Sequence, residues 1–343
     1  MSLTAPNMSQ NRSAAIHQFL EKISLNNNLL SFLAGDASFR KYYRLQEKNQ
    51  SLVLMDAPPP ENPGSFVQIA ELLNSHGFSA PKIIASDIHN GFVLLEDFGD
   101  QTYTKILNSS PARAEELYFL AIDTLANLHK IITVRPTFLK PYSSETHLAE
   151  AMLFLQWTYP AIKGVAAAPS LKAEYQNLWE TALQLANDLP QSIVLRDFHV
   201  DNLMVLSDRE GLSSCGLLDF QDALWGSAAY DLVSLLEDAR RDIPKNLVES
   251  CWNRYLKAFP EVDASVLRQQ AAILSAARHA KILGIFTRLA VRDHKPHYLE
   301  YIPRVWRLLQ DCLKAPVLSD LNQWFLSNFP LNERIIPVRG DDR

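Results

Sequence analysis

Two carboxylates and one amide in this chain stand at spacings that could do chemistry. They are Asp197, Asn202 and Asp219, within the segment IVLRDFHVDNLMVLSDREGLSSCGLLDFQDA from Ile193 to Ala223. Asp197 and Asn202 fit a D-x-x-x-x-N pattern, and Asp219 stands in LLDFQDA where the Asp of a D-F-G pattern would be. Phosphoryl transfer asks little covalent work of a protein. It needs a carboxylate that orients or deprotonates the attacking hydroxyl, and oxygen ligands that hold Mg²⁺ on the nucleotide phosphates. Asp197 suits the first task, Asn202 and Asp219 the second.

The flanking elements must put these residues in place. Val194 and Leu195 read as the end of a strand, Asp197 to Asn202 as a loop, Leu203 to Leu206 as a strand, and Cys215 to Leu218 as its partner across a turn containing Gly211. Such a hairpin sets Asn202 and Asp219 side by side at one rim. Two Asp-rich surface loops around a buried hairpin would use the same residue types; both halves at this separation, each framed by apolar strand residues, favour a site. Upstream, Met1 to Ser13 is polar and reads as mobile, and Ala14 to Ile23 as a short helix. Strands are predicted at Phe39 to Leu45 and Leu52 to Met55, about a turn at Glu47 to Gln50, and at Ile83 to Ala85 and Phe92 to Leu95. Between them, Ser65 to Ser75 reads as a helix with Phe66, Ile69, Leu72 and Leu73 inward. Helical spacing recurs at Arg113 to Lys130, Asp231 to Arg240, Leu247 to Ala258, Val266 to Leu289 and Val305 to Leu313. The expected fold is therefore α+β and bilobal, with a small antiparallel-sheet lobe over residues 1–98 and a mainly helical lobe over 99–343.

With 343 residues, 47% of them hydrophobic, the chain can bury one large core or two smaller ones. A formal charge of -5 and a pI near 6.0 leave no basic stripe for a phosphate backbone, which argues against nucleic acid. Cys215, Cys251 and Cys312 are odd in number, far apart and without metal-ligand spacing, so they read as reduced structural thiols. The N-terminal region carries no signal-like apolar core and no apolar run is long enough for a bilayer, so the expectation is a cytoplasmic protein with no membrane partner. A monomer is expected because nothing argues otherwise.

The blocks GDASFRKYYRL, MDAPPPENPGSF, LLEDFGDQTY, LRDFHVDNLMVL, LLDFQDALWG, YDLVSLLEDAR, KILGIFTRLAVRD and YIPRV run from Gly35 to Val305. Together they resemble the aminoglycoside phosphotransferase-like kinases, a branch of the protein-kinase-like fold, and within it the bacterial anomeric kinases of N-acetylmuramate and N-acetylglucosamine that act in cell-wall sugar recycling. The resemblance implies ATP and Mg²⁺ as cofactors, a small sugar as substrate and transfer to its anomeric hydroxyl. It makes Glu96-Asp97-Phe98 the hinge beside the adenine, Gly35-Asp36-Ala37-Ser38 the loop over the phosphates, and Asp231 a brace for the catalytic-loop backbone. An ordinary charged turn and an ordinary Gly-Asp hairpin would use the same residues, so these two assignments rest on position in the series.

Departures from the wider kinase pattern mark where this chain must differ. LVLMDAP puts Met55 and Asp56 where V-A-I-K would place a phosphate-binding lysine. Either Arg40, Lys41 or Arg44 supplies that cation from the adjacent strand, or phosphate binding relies more heavily on metal; Arg40 is the candidate, and alternation sets Arg40 and Arg44 on one strand face and Lys41 on the other, without saying which face is inward. Without that lysine, Glu71 reads as a solvated or Arg-paired residue. Leu195 replaces the usual His two residues before Asp197 and would support the loop by packing. His199 and Asp201 lie where they could touch substrate hydroxyls or merely complete a loop, and Asp222 could stiffen the Asp219 loop or meet a metal. Trp157, Tyr159 and Trp225 are sugar-stacking candidates, although aromatics at such places are commonly core. Arg278-His279-Ala280-Lys281, with Arg288 and Arg292, could read a substrate carboxylate or form surface ion pairs. Two other functions compete: a kinase of aminoglycosides or another hydroxyl compound, which would want a strongly acidic acceptor pocket, and a catalytically silent nucleotide-binding module, suggested by the absent lysine. Asp219 to Asp231 is too short for the activation segment of a protein kinase.

Overall fold

In a computed structural model, which describes residues 5–25, 30–35, 39–47, 50–186 and 191–335, the chain divides into two compact units. Unit 1 comprises Met1–Thr124 and Val200–Ala223, and unit 2 Leu125–His199 and Leu224–Arg343. Met1 to Thr4 of the expected mobile leader, Asp36 to Ser38 of the expected phosphate loop and Lys48-Asn49 of the expected turn lie outside the described residues.

Unit 1 opens with helix α1 (Ala5–Lys22), strands β1 (Leu30–Gly35), β2 (Lys41–Glu47) and β3 (Gln50–Asp56), helix α2 (Pro63–Ser75), and strands β4 (Ile83–Asp87) and β5 (Phe92–Glu96). The strands form an antiparallel sheet in the order β1-β2-β3-β5-β4. Strand alternation sends Leu45, Leu52, Leu54, Phe92 and Leu94 to one face, where they pack on Ile16, Phe19 and Leu20 of α1. The paired residues Arg44, Val53 and Leu95 therefore share the opposite face. Helix α1 begins well before the expected Ala14, since helix extended from an anchored segment needs no apolar face of its own. Its anchor is Arg12, whose guanidinium lies 4.1 Å from the Phe92 ring and whose Nη2 is 2.5 Å from Asp56 Oδ1. In α2 the inward set is Phe66, Ile69, Ala70 and Leu73, while Leu72 is half-buried.

After β5 come α3 (Tyr103–Ser109), capped by the Thr102 hydroxyl, and α4 (Ala114–Ile131), whose last turns belong to unit 2. Unit 2 continues with α5 (Ser144–Ala151), a π-helical turn at Phe154–Thr158, α6 (Tyr159–Lys163), α7 (Pro169–Gln184) and β6 (Gln191–Val194). The chain then forms the unit 1 hairpin of β7 (Leu203–Val205) and β8 (Cys215–Leu217). Back in unit 2, β9 (Leu224–Ser227) pairs antiparallel with β6, followed by α8 (Ala229–Leu236), α9 (Lys245–Ala258), α10 (Ala264–Val291), α11 (Ile302–Cys312) and α12 (Ser319–Asn328). Helix α8 stops short of the expected Arg240 because Glu237 leaves helical geometry and Asp238 accepts the Arg240 N–H in a local turn. Strands β1 and β9 and helices α3, α5, α6, α7 and α12 are too short or too weakly patterned to be read beforehand.

The 28-residue α10 runs through unit 2 and is buried on nearly all sides, against α5, α8, α11 and the π-helical turn. Among the described residues no helix is long and apolar enough to cross a membrane. At Gly284, α10 approaches the backbone so closely that an added Cβ would meet Leu153 C at 2.5 Å and its carbonyl oxygen at 2.6 Å. Backbone cannot yield as a side-chain end can, so Gly284→Ala should cost about 1–3 kcal/mol by overpacking, read as a lowered chemical-denaturation midpoint.

Candidate active site

Beneath the sheet face that carries Arg44, Val53 and Leu95, unit 1 holds a cavity of about 430 Å³. Gly35, Val53, Leu95, Phe98, Met204 and Leu218 give it mostly apolar walls, and Asn202 and Asp219 bring oxygen atoms to it. That volume and that pairing of apolar walls with a few polar groups suit a small-molecule site. The β7–β8 hairpin sets the two polar residues together: the Leu218 N–H donates to the Asn202 carbonyl (2.9 Å), and Asn202 Nδ2 donates to Asp219 Oδ2 (3.4 Å). Asp219 sits at φ +57, a left-handed conformation that a non-glycine residue adopts at a cost, and Gln221 Nε2 steadies its other oxygen at 2.8 Å. Gly216 in β8 lets Phe98 close on the hairpin, since a Cβ there would lie 3.0 Å from the Phe98 ring.

The cations of β2 and its approach divide their work. Arg40 is buried, with Nη2 3.8 Å from Asp219 Oδ1 and Nε 3.6 Å from Glu61 Oε2. Lys41 is exposed. Arg44 is committed to Asp97, donating from Nε at 2.7 Å and from Nη2 at 3.1 Å, and it also pairs with Asp100. Ser51 Oγ (2.5 Å) and the Gly99 N–H (2.8 Å) complete the cage around the Asp97 carboxylate. Burial acts to raise the Asp97 pKa, but these donors outweigh it and hold the carboxyl below its ordinary range. Glu96 is likewise engaged, by Arg209 and by the Lys82 N–H. The side chains at Glu96 and Asp97 are thus engaged in fixing the segment. Asp56, in the place of the missing lysine, is bound to Arg12. Glu71 is exposed; the acid that partners a cation here is Glu61, which the sequence reading passed over because it follows a proline run.

Asp197 belongs to unit 2, in the loop after β6. Asp231, fully buried on α8, accepts the Leu195 N–H (2.6 Å) and the Arg196 N–H (2.9 Å). Burial raises the Asp231 pKa to about 7 against the opposing pull of those bonds. Arg196 is held at φ +71, and its carbonyl accepts from Ser234 Oγ and from Arg278 Nη1, each at 3.2 Å. Arg196 also pairs with Glu150, which accepts from Lys281 Nζ (2.9 Å) and from the Tyr142 hydroxyl (2.5 Å). The Asp197 side chain emerges from this lattice 44% exposed, with Arg278 Nη2 4.0 Å away. Burial would raise its pKa, yet Arg278 and Lys281 more than offset that and keep it ionised below the usual carboxylate value.

Several sequence candidates are placed otherwise than expected. Arg278, His279 and Lys281 form no surface patch: they are buried at 5%, 0% and 8% exposure, with Arg278 and Lys281 spent on the loop and on Glu150. Arg292 alone of that group is well exposed, paired with its neighbour Asp293. Trp225 is a buried strand residue of β9, hydrogen-bonded through its backbone to Lys140 and Tyr142, and leaves little ring to present to a sugar. Tyr159 packs edge-on against Phe329, and Trp157 lies half-buried beside Arg292. His199 is buried, its Nε2 accepting from Arg240 (3.4 Å), and burial lowers its pKa, so the ring is neutral. Asp201, in unit 1, accepts the Thr104 hydroxyl, and Asp222 is exposed near Gln221. Leu195 is buried, in keeping with support by packing.

Residues 30–265 match the model of the phosphotransferase enzyme family. The chain is 33% identical to the N-acetylmuramate/N-acetylglucosamine kinase of Caulobacter vibrioides, over 95% of this chain and 99% of that one. It is 36% identical to the protein of the same name from Pseudomonas aeruginosa, over 86% and 87% of the two chains. Among solved structures, the gentamicin complex of the aminoglycoside phosphotransferase APH(2'')-IIa aligns with a TM-score of 0.58 at 14% identity, covering 90% of this chain and 99% of that one. The GDP complex of aminoglycoside 2'-phosphotransferase-IIIa gives 0.58 at 16% identity over 88% and 97%. The protein-kinase-like fold is thus shared with these enzymes.

The Asp97 cage carries a pH-dependent test. A carboxyl whose pKa is depressed on folding stabilises above its unfolded pKa of about 3.9, and that contribution is lost as pH falls through the folded value. Asp97→Asn should therefore cost about 1–3 kcal/mol near neutral pH, with the gap from the parent chain closing in denaturation curves taken at progressively lower pH.

Proposed function

Because the chain belongs to the phosphotransferase enzyme family, we propose that it is an ATP-dependent kinase that phosphorylates the anomeric hydroxyl of N-acetylmuramate and N-acetylglucosamine. The observation that carries the phosphoryl-transfer half is the Asn202–Asp219 pair opening on the unit 1 cavity. The names of its relatives carry the sugar, and a role in cell-wall recycling follows from that substrate.

In this reading residues 1–98 form the nucleotide-covering lobe and 99–343 the lobe of catalysis and acceptor binding. Adenine lies between Val53, Leu95, Met204 and Leu218, with the backbone from Glu96 to Phe98 along its edge. Gly35, on the cavity wall, comes near the phosphates. Asn202 and Asp219 offer amide and carboxylate oxygens, the hard donors that Mg²⁺ takes, so this donor set fits the ion. Bound there, the ion would neutralise phosphate charge. Arg40 adds a fixed positive charge beside Asp219 and stands in for the absent strand lysine.

Asp197 receives the acceptor hydroxyl. Its depressed pKa makes it a weak base, which suits an anomeric hydroxyl, more acidic than an ordinary alcohol: the carboxylate has more to do in aligning the oxygen than in removing its proton. His199 and Asp201 serve the loop through Arg240 and Thr104 rather than the sugar. A polycationic aminoglycoside fits poorly beside an Asp197 surrounded by Arg196, Arg278 and Lys281.

An ADP-release assay with ATP and Mg²⁺ should show turnover on both N-acetyl sugars, with ³¹P NMR placing phosphate on C1, and none on an aminoglycoside; turnover on the aminoglycoside alone would reverse the assignment. Asp197→Asn should abolish turnover while leaving nucleotide affinity within a few-fold of the parent. Arg40→Ala should raise the ATP KM about 10- to 100-fold, the worth of a charge-assisted contact, whereas Lys41→Ala should leave it unchanged; equal, mild effects would remove Arg40 from phosphate binding.

A further inference from the structure

Away from Asp197, unit 2 gathers one thiol, one imidazole and one carboxylate at the junction of α8, α10 and α11. Cys312 Sγ, His279 Nδ1 and Glu237 Oε2 come from the last residue of α11, the middle of α10 and the residue that ends α8. Sγ is 3.3 Å from Oε2, Nδ1 is 3.7 Å from Sγ, and Nδ1 is 3.7 Å from Oε2. A tetrahedral Zn²⁺ with bonds of about 2.3 Å to sulfur and about 2.0–2.2 Å to nitrogen and oxygen spaces its ligand atoms about 3.3–3.6 Å apart. The triangle already has that size.

The surroundings prepare the three groups for a cation. His279 Nε2 faces the Glu237 carbonyl at 3.4 Å, which fixes the N–H on that nitrogen and turns the Nδ1 lone pair toward the cluster, as a ligating histidine is oriented by a backbone acceptor. Ser275, one turn before His279, touches all three: its Oγ lies 2.8 Å from Sγ and 3.3 Å from Nδ1 and donates to Glu237. A metal can take the place of the Cys312 thiol proton, which now points to Glu237. A cavity of about 590 Å³, bordered by Glu237, Cys312, Trp252, Arg304 and Arg307, supplies an entry path and room for a water as fourth ligand.

We propose that Glu237, His279 and Cys312 form a binding site for a thiophilic divalent cation of the Zn²⁺ class, with Ser275 Oγ or a water completing the tetrahedron. On binding, the Cys312 S–H bond breaks, its proton leaves to solvent, and the thiolate, the Nδ1 lone pair and a carboxylate oxygen each bond to the metal. The cation ties three helices at one point. Because α8 also carries Asp231, it stiffens the element that holds the Leu195 and Arg196 N–H groups.

The test uses the full chain, stripped with a chelator and returned to buffer with Mg²⁺, then titrated with Co²⁺ as a spectroscopic substitute. The expected result is a thiolate-to-cobalt charge-transfer band in the near ultraviolet that saturates at about one Co²⁺ per chain and is bleached by Zn²⁺. Cys312→Ala, which retains Cys215 and Cys251, should lose the band, and Glu237→Gln should bind Co²⁺ at least about tenfold more weakly. Zn²⁺ should raise the melting temperature of the parent chain and leave that of Cys312→Ala unmoved. No band in the parent chain at stoichiometric Co²⁺, or a band of equal strength in Cys312→Ala, would overturn the site. Should either variant fail to fold, the parent chain's spectrum and stoichiometry decide the matter alone.

Discussion

Two adjacent peptide N–H groups, those of Leu195 and Arg196, end on one buried carboxylate, Asp231, and the loop that follows β6 depends on that convergence. A strand leaving its sheet exposes N–H groups that must find acceptors, and burial makes an unmet one costly. Asp231 meets both and so sustains Arg196 in a left-handed conformation that its own side chain disfavours. With that peptide fixed, the Arg196 carbonyl turns toward Ser234 and Arg278, its guanidinium reaches Glu150, and Asp197 emerges half exposed beside a fixed cation. In the function proposed above, the carboxylate is thereby positioned before substrate arrives, which is where preorganisation lowers a barrier.

Unit 1 solves a related problem with three arginines instead of one strand lysine. Arg12 neutralises Asp56, Arg44 neutralises Asp97, and Arg40 lies beside Asp219. A planar guanidinium can saturate a carboxylate through two parallel bonds, as Arg44 nearly does, so the first two pairs fix an end of β3 and the segment after β5 while adding no charge to the cavity. Buried pairs of this kind add little net stability compared with apolar packing; their effect is to fix one geometry, since removing either member strands the other.

The chain's own order of residues was enough to set Asn202 and Asp219 together on the β7–β8 hairpin, and for the antiparallel sheet and the long helices, because each rests on local rules: alternation in strands and three-to-four spacing in helices. Element ends were less legible. Helix α8 ends at Glu237 through a turn made by Asp238, and α1 extends through polar residues that carry no periodic signal. The short elements β1, β9, α3, α5 and α6 gave too few residues for a period to appear, and α7 and α12 carry only a weak apolar pattern.

Which side chains face which was decided by tertiary structure. Helix α10 shows this most clearly: Arg278, His279 and Lys281 read in sequence as a basic patch, yet the helix runs through the interior of unit 2, and the three are buried against a carbonyl, a Glu237 cluster and Glu150. A polar residue marks a surface only when its partner is water; when the partner is another chain segment more than thirty residues away, local sequence holds no record of it. The same holds for the face of β2, where alternation placed Arg40 and Arg44 together but only the packing of Leu45, Leu52 and Leu54 on α1 determined that the other side meets the cavity. Sequence thus determined the kinds of chemistry this protein can perform, because chemistry resides in residue types and short spacings. Tertiary structure alone decided which charges are spent on the fold and which remain for a ligand, because that division depends on partners brought together from distant parts of the chain.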